Sequence, residues 1–530
     1  MGGKGSGGRR RRGLGNTAQR GFDLGMEECA AARKRVAGHF LDDDPRDQWI
    51  GDWRLERYLR QNGFGWIIDL RAELEQLDYS GALVAYEGSG RKALHPRTLI
   101  GLIIYGTLCR QSSLRGLEDL ARRDVGAWWI CGGHHPDHST IGKFIQQHEE
   151  WLSEEFFIAL VKHLVGKLKA KAGTVAGDGT VIEAAASHLR ALRAEAAREA
   201  AQAKRAEAAA HPEDEQLQEQ AAAAAEVERV VAERLAERQA RGDNQDAVLI
   251  VAEEVEAVVQ RGKDGRNRPS YKPSILRHES GLIVAQHVHA SSETAALVPM
   301  LNQHQRVFGT MPLRMLLDAG YHSLGVLELA VGHDIDLLCP SGKRGKPKRS
   351  SPRQLGKGEF RYISERDVFQ CPAGRELSFE DRAHDRHGRG YRRYRGRQCA
   401  DCALRSGCTS SRRGRTVRRY DGDELKEAMA EVMSQRGARQ AYRLRAQLAE
   451  RPFAEQRERQ GLRRFHRRGL AGVRFEYSLH CAAFNLKLVV HDGLGHQLHT
   501  LSFFYLFSPG RFPVFAALFW CSLTPSTKMD

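Results

Sequence analysis

The 530-residue sequence has few long uninterrupted runs of hydrophobic residues, and this shortage argues against a membrane protein. The one long apolar stretch, 501–523, is broken by Ser-Pro-Gly-Arg at 508–511 and by Pro513, so we expect no membrane span there. Residues 1–12 are rich in glycine and then in arginine, without the apolar segment of a secretory signal. The sequence therefore predicts a cytoplasmic protein that does not enter a membrane.

Cysteine is also scarce and unevenly placed. Of ten cysteines, four fall in one stretch and the others are scattered singly among apolar neighbours; the four are Cys371, Cys399, Cys402 and Cys408. This distribution argues against a disulfide framework and suits a reducing compartment. Four nearby thiols match the ligand number of tetrahedral zinc. Two interpretations stay open: a zinc knuckle that presents a basic loop, or cysteines that merely pack.

Positive charge is what the sequence has in excess. Its 82 Lys and Arg residues outnumber 66 Asp and Glu residues, which gives a net charge of +16. A surplus of this kind favours polyanionic partners, because each neutralised phosphate releases counterions. A genome rich in arginine codons would produce a similar composition, so the motifs have to decide whether the partner is a nucleic acid.

The spacing of apolar residues divides the chain into regions of different character. Residues 1–45 lack a core and predict a flexible basic arm. Residues 46–170 show helical spacing, with Pro96 placed to open a helix. From residue 171 to 490 short apolar runs alternate with helical patterns, which predicts a mixed α/β sheet flanked by helices.

Two insertions are predicted within the α/β region. Residues 188–262 are dominated by Ala, Glu, Arg and Gln, and we expect an antiparallel helical pair more than a dimerising coiled coil. Residues 365–412 contain the four clustered cysteines. After the α/β region, residues 491–530 form an atypical tail with an aromatic run.

Three acids stand where a ligand could reach them. Asp178 and Asp318 each end a predicted strand, and Glu450 lies on a helix predicted over 438–459. An aspartate after a strand is often a helix or turn cap, and a helix rich in Glu–Arg pairs is often plain surface. Each acid alone therefore leaves a structural role and a catalytic role open.

The helix over 438–459 groups several chemically useful side chains. Gly437 is the predicted break before it, after a first helix over 425–436, and Pro452 is a predicted kink. The spacing places Tyr442, Glu450 and Arg457 on one helix face. An acid there can hold a metal while nearby arginines hold phosphate. Glu455 is the second choice for the acid, but it lies off that face.

Taken in order, these motifs resemble the insertion-sequence DDE transposases whose third acid belongs to a Tyr-Arg-Glu-Lys signature. Asp178-Gly179-Thr180 and Asp318-Ala319-Gly320-Tyr321 resemble the two catalytic strands of that family. The signature is matched by Tyr442, Arg445, Glu450 and Arg457, with arginine in place of the lysine. Glu293 stands where the family often has a shorter acid. The resemblance covers about 48–490.

The resemblance implies a fold and an activity. It implies an RNase H-like mixed sheet flanked by helices, an all-α N-terminal domain that contacts DNA, and a helical insertion. The activity implied is cleavage and strand transfer at transposon ends, with Mg²⁺ or Mn²⁺ held by Asp178, Asp318 and Glu450. Arg445 and Arg457 would orient phosphates, and Tyr442 would pack against the DNA end.

The resemblance also implies partners. These are duplex DNA, at the terminal inverted repeats and at the target, and a second copy of the chain on DNA, in the nucleoid-associated cytoplasm. The Cys-Pro-Ala-Gly run at Cys371 and the three later cysteines are similar to a branch with a zinc insertion. Two alternatives are a decayed or domesticated DNA-binding protein and, with less support, a zinc-dependent RNA-binding protein.

Overall fold

The computed structural model describes residues 39–86, 90–242, 244–262, 264–342, 355–385 and 388–490. The chain divides into two compact units, which within these residues are 39–103 with 114–148, and 104–113 with 149–490. The predicted arm up to residue 38 and the predicted tail 491–530 lie outside the described residues. Within the described ranges, no helix is both long and apolar enough to cross a bilayer.

The first unit is mainly helical. A two-stranded ribbon, β1 (Trp49–Ile50) with β2 (Trp53–Arg54), precedes the helices and departs from the all-α expectation. Pro96 opens a helix, as its position in the sequence predicts. The helices are α1 (Leu55–Gln61), α2 (Gly65–Glu75), α3 (Ser80–Leu83), α4 (Pro96–Leu108), α5 (Leu114–Arg123), α6 (Val125–Cys131) and α7 (His138–Ser153).

The last residues of the predicted arm are packed into the first unit. Asp43 is only 6% exposed, and its carboxylate accepts a hydrogen bond from the Thr98 hydroxyl. The same carboxylate pairs with Arg97 and lies 3.5 Å from Arg71. A buried carboxylate requires such partners, because its desolvation is costly. Residues 39–45 therefore belong to the fold and not to an arm.

The second unit is built on a seven-stranded mixed sheet, which confirms the predicted α/β class. The order is β11-β10-β3-β8-β4, and β7 and β9 also pair with β8. Strands β3, β10 and β11 are parallel, whereas β8 is antiparallel to β3 and to β9. The strands are β3 (Thr174–Gly179), β4 (Ile182–Glu183), β7 (Val258–Arg261), β8 (Asn267–His278), β9 (Ile283–His289), β10 (Arg314–Leu316) and β11 (Asp336–Leu338).

Helices cover this sheet and supply its core. One layer contains α8 (Glu155–Lys167), α11 (Leu297–Phe308) and α17 (Gly469–Val490), which all contact β9, and α8 also contacts the other two helices. The Asn485 side chain in α17 bonds the backbone N–H and C=O of Ile283, both at 2.8 Å. Helix α12 (Leu324–Gly332) connects β10 to β11.

The helical insertion is a pair of helices, α9 (Ala194–Ala210) and α10 (Glu215–Arg241). A short pairing of β5 (Leu192–Arg193) with β6 (Leu249–Ile250) closes its base. Small and β-branched residues such as Ala197, Ala201 and Val231 are buried between the helices. The apolar faces are thus used within one chain, which agrees with the predicted helical pair.

A second sheet occupies 361–420, a feature that the sequence did not predict. Its five antiparallel strands lie in the order β12-β13-β14-β15-β16. One face carries an apolar core that includes Phe369, Tyr394 and Val417. The elements are β12 (Arg361–Ile363), β13 (Val368–Gln370), β14 (Glu376–His384), β15 (Gly390–Gly396), the short helix α13 (Arg405–Cys408) and β16 (Thr416–Tyr420).

The C-terminal helices differ from the predicted pattern. They are α14 (Asp423–Ser434), α15 (Arg436–Tyr442) and α16 (Leu444–Glu458), followed by α17. Gly437 lies inside α15, Pro452 lies inside α16, and the break occurs at Arg443. Tyr442 and Glu450 are therefore on different helices, and the prediction that they share one helix face is wrong.

Candidate active site

Two of the predicted acids lie side by side at the carboxyl ends of parallel strands. In the register of β10 with β3, Leu316 is opposite Ala176. Continuing both strands by two residues places Asp318 beside Asp178. The strands anchor the backbone of each acid, while the side chains remain open to a ligand at the sheet edge.

One guanidinium group joins these two carboxylates. Arg445 Nη2 lies 3.0 Å from Asp178 Oδ1 and 3.7 Å from Asp318 Oδ2. The Arg445 side chain is 16% exposed, and within the described chain its buried Nε has no hydrogen-bond partner. The positive charge therefore sits where the two negative charges converge, with one N–H donor left unused.

Burial dominates the electrostatics of Asp178. It raises the pKa of the Asp178 carboxyl to about 6, against the opposing effects of Arg445 and of the Gly179 amide. The charges of Asp318 and Glu293 raise this pKa further. The ionised form of Asp178 is thus short of positive charge, and a divalent cation would stabilise it. Carboxylate oxygens are the ligands that Mg²⁺ and Mn²⁺ prefer, so the pair fits such an ion.

Glu293 brings a third carboxylate to the two aspartates. A Cβ atom on Gly179 would lie 2.5 Å from Glu293 Cγ, so only glycine leaves room for this side chain. A Cβ on Gly320 would lie 3.8 Å from Glu293 Oε2. Lys272 Nζ holds the carboxylate at 3.2 Å. From the sequence, Glu293 was only a departure from a family pattern, because its approach depends on the sheet order and not on local spacing.

Glu450 is exposed on α16 and is not joined to either aspartate. Within the described residues it makes no hydrogen bond or ion pair. Arg457, two helical turns further along, contacts the Thr180 hydroxyl just beyond the end of β3. Glu455, the second choice for the third acid, is engaged elsewhere by Lys487 and by Arg459.

Two further side chains fix the backbone around Asp318. The Tyr442 hydroxyl donates to the Leu317 carbonyl at 3.0 Å, and the Cys339 thiol donates to the Asp318 carbonyl at 3.1 Å. Burial raises the pKa of both groups, which keeps them protonated as donors. In this structure Tyr442 positions the second acid.

The clustered cysteines surround a small cavity under the five-stranded sheet; they are Cys371, Cys399, Cys402 and Cys408. Cys399 Sγ donates to the Gly396 carbonyl at 3.3 Å. Burial raises the pKa of the Cys408 thiol against the opposing charge of Arg415, and the other three cysteines add to this rise. In the described ranges no group of three or more His, Cys, Asp or Glu could hold a metal ion, and this applies to the acids at the sheet edge as well as to these cysteines. The structure does not support the predicted zinc site.

Two regions of the chain match models of known families. Residues 58–147 match a family described as Transposase domain (DUF772), and residues 370–490 match one described as Transposase DDE domain. The second match contains Glu450 and Arg445, whereas Asp178 and Asp318 precede it. Comparisons with curated proteins and with solved structures found no match.

Proposed function

On the premise that the chain is an insertion-sequence DDE transposase, which the two family-model matches support, we propose that it binds transposon ends and catalyses metal-dependent cleavage and strand transfer of DNA. The observation that carries this proposal is the placement of Asp178 beside Asp318, with Arg445 between their carboxylates. A nuclease of this kind needs acids from distant parts of the sequence to converge, and these two are 140 residues apart.

The sheet topology supports an RNase H-like fold for the catalytic region. Numbered along the chain, β3, β8, β9, β10 and β11 are strands one to five, and they lie in the order 3-2-1-4-5. The central strand is β3, which bears Asp178. Its neighbour β10 leads into Asp318, so the topology itself brings the first two acids together.

We assign metal binding to Asp178, Asp318 and Glu450. Bound Mg²⁺ or Mn²⁺ would supply an activated nucleophile and stabilise the leaving oxygen. The aspartates fit this role because the ionised form of Asp178 lacks compensating positive charge. For Glu450 the support is its exposed position on α16 and its place within the matched DDE domain.

Arg445 and Arg457 are proposed to orient phosphates. Arg445 has an unfilled Nε donor beside the two acids. Arg457 lies next to Thr180, at the end of the strand that bears Asp178. Planar guanidinium groups suit bidentate contact with phosphate, so both residues can hold DNA near the scissile bond. Tyr442 would support this arrangement by holding the segment before Asp318.

The test is nicking of a labelled duplex that carries the element's own end, with Mg²⁺ and with EDTA. Wild type should nick only with Mg²⁺, and Asp178→Ala should bind the duplex without nicking it. Binding without nicking in both proteins would instead favour a decayed or domesticated DNA-binding copy. The proposed partners are duplex DNA and a second copy of the chain, in the nucleoid-associated cytoplasm. Sedimentation of the protein with end duplex should show two chains per complex.

A further inference from the structure

The five-stranded sheet carries more than half of the net positive charge of the chain. Residues 361–420 contain 16 arginines, seven acidic residues and no lysine, a net charge of +9, whereas the whole chain has +16. The cluster is therefore not explained by overall composition. The charge of residues 361–420 is better explained by a ligand that the sheet contacts.

Arginines face each other directly across neighbouring strands of this sheet. The register places Arg382 opposite Arg392, Arg392 opposite Arg419, and Arg393 opposite Arg418. Like charges directly opposite each other destabilise a sheet. Arg392 and Arg419 share the sheet face of Tyr394 and Val417 and pair there with Asp367 and Glu427, whereas Arg393 and Arg418 lie on the opposite face. The Arg393–Arg418 pair costs the isolated protein free energy, which an anion lying across β15 and β16 would recover.

Acidic groups of the chain compensate only part of this charge. Arg393 Nε lies 3.3 Å from Asp381, Arg395 Nε lies 2.6 Å from Glu380, and Arg389 Nη2 lies 2.7 Å from Asp385. Arg418, by contrast, is exposed and makes no ion pair within the described residues. A positive surplus therefore remains on the sheet face that is opposite the apolar core.

On that face, three arginines lie over tyrosine rings. Tyr391 is 5% exposed, and the Cζ atoms of Arg393 and Arg418 lie 5.8 and 4.7 Å from its ring centroid. Arg389 Cζ lies 5.2 Å from the ring centroid of Tyr420. Stacking restrains each guanidinium. Arg389 already donates to Asp385, and Arg393 to the Tyr391 hydroxyl, whereas Arg418 makes no hydrogen bond within the described residues, so its N–H edge is the one best placed for phosphate contact.

We propose that this arginine face, comprising Arg389, Arg393, Arg395 and Arg418, binds the sugar–phosphate backbone of duplex DNA without regard to sequence. It is a DNA contact in addition to the candidate active site, and it rests on the proposed function only in taking duplex DNA as the polyanion. Duplex DNA presents a charge about every 1.7 Å of its axis, so arginines spread over one sheet face can contact several phosphates.

The test compares two double variants that each lose two positive charges. Arg393→Gln/Arg418→Gln alters the arginine face, and Arg198→Gln/Lys204→Gln alters exposed residues of α9 as the matched control. Dissociation constants are measured over a range of salt concentrations. Loss of two phosphate contacts should reduce the slope of log K against log salt by about 2 and weaken binding by roughly 10- to 50-fold near 0.15 M salt. The α9 control should keep the wild-type slope.

Three duplexes separate the possible sources of the phosphates: an end alone, an end with flanking DNA, and an unrelated sequence. A loss on all three supports a general backbone contact, and a loss only on the flanked and unrelated duplexes places that contact outside the end. An unchanged slope, an equal loss in the α9 control, or a loss confined to single-stranded DNA or RNA overturns the proposal.

Two measurements distinguish a lost phosphate contact from a damaged fold or a damaged catalytic site. Thermal melting should show little change in Arg393→Gln/Arg418→Gln, because the substitution removes a like-charge pair together with the Arg393–Asp381 ion pair and the stacking on Tyr391. If the double variant melts early, Arg418→Gln alone, with Arg418→Lys as its charge-retaining partner, repeats the test at a residue without an ion pair. Nicking of the end duplex at saturating protein should be unchanged. If wild type does not nick but the slope still falls, the proposed catalysis fails and the arginine face stands.

Discussion

The two sheets of the second unit differ in the sign of the charge that they leave uncompensated. At the ends of β3 and β10, the carboxylates of Asp178, Asp318 and Glu293 outnumber the cations of Arg445 and Lys272. On the five-stranded sheet, arginines face arginines. Both arrangements cost the isolated protein free energy. The contrast teaches that unbalanced charge in a fold indicates its ligand: a divalent cation for the first sheet and a polyanion for the second.

The largest expected effect tests the acidic site at the ends of β3 and β10. Asp178→Asn should lower the nicking rate by about 10³-fold or more, as expected when an essential catalytic group is lost, while end binding persists. Asp334→Asn is the matched control, since Asp334 is exposed and has a φ of 54° that asparagine also tolerates. Wild-type nicking by Asp178→Asn would remove Asp178 from the site.

The next effect decides which glutamate completes the acidic site. Glu450→Gln should also lower nicking by about 10³-fold, whereas Glu293→Gln, which leaves Lys272 in place, should lower it by about tenfold. The expected difference between the two variants is therefore about a hundredfold in rate. The opposite order would assign the third catalytic acid to Glu293, the carboxylate that already lies beside Asp178.

The free energy of unfolding, measured at two pH values, shows whether the negative charge of Asp178 is unbalanced. The folded-state pKa of Asp178 is raised to about 6 from 3.8, so the folded protein binds this proton more tightly than the unfolded chain. The carboxylate then destabilises the fold above about pH 6, and this cost disappears as pH falls from 6 towards 3.8. Asp178→Asn should exceed wild type in unfolding free energy by at most about 3 kcal/mol at pH 7, and this excess should shrink at pH 4.5.

Chemical denaturation of both metal-free proteins at the two pH values measures this difference. A constant gap between Asp178→Asn and wild type would mean that the Arg445 guanidinium already balances the charge. The ends of β3 and β10 would then carry no unbalanced negative charge, and the contrast between the two sheets would not hold.

Local sequence patterns predicted the parts of the site whose causes are local. The apolar run into Asp318 and the glycine-flanked strand at Asp178 both form strands, since each depends on residues close in sequence. The placement of Glu293 could not be predicted, because it follows from the pairing of β8 with its neighbours. The break at Arg443 was missed, since the glycine and proline nearby both lie inside helices.

The five-stranded sheet was missed for a different physical reason. Strand β15 places arginine at a position where a strand usually shows an apolar residue: Arg392, two residues before Tyr394, lies on the face of the apolar core. Stacking on tyrosine rings replaces part of the usual apolar packing, and no alternation of apolar and polar residues reveals it. Cysteine spacing predicted a zinc site, which the structure does not support.

The smallest effect concerns Arg445, which occupies the position between the two carboxylates that a metal ion would compete for. Removing its guanidinium with Arg445→Ala should strengthen Mn²⁺ binding to the DNA-free protein by roughly tenfold, since a nearby positive charge is lost. The same variant should nick DNA more slowly, because a phosphate contact is lost as well. Arg457→Ala, which removes a guanidinium that contacts Thr180 and neither aspartate, should leave Mn²⁺ binding unchanged. Titration of free Mn²⁺ measures both, and weaker binding in Arg445→Ala would show that the arginine supports the metal site and does not compete with it.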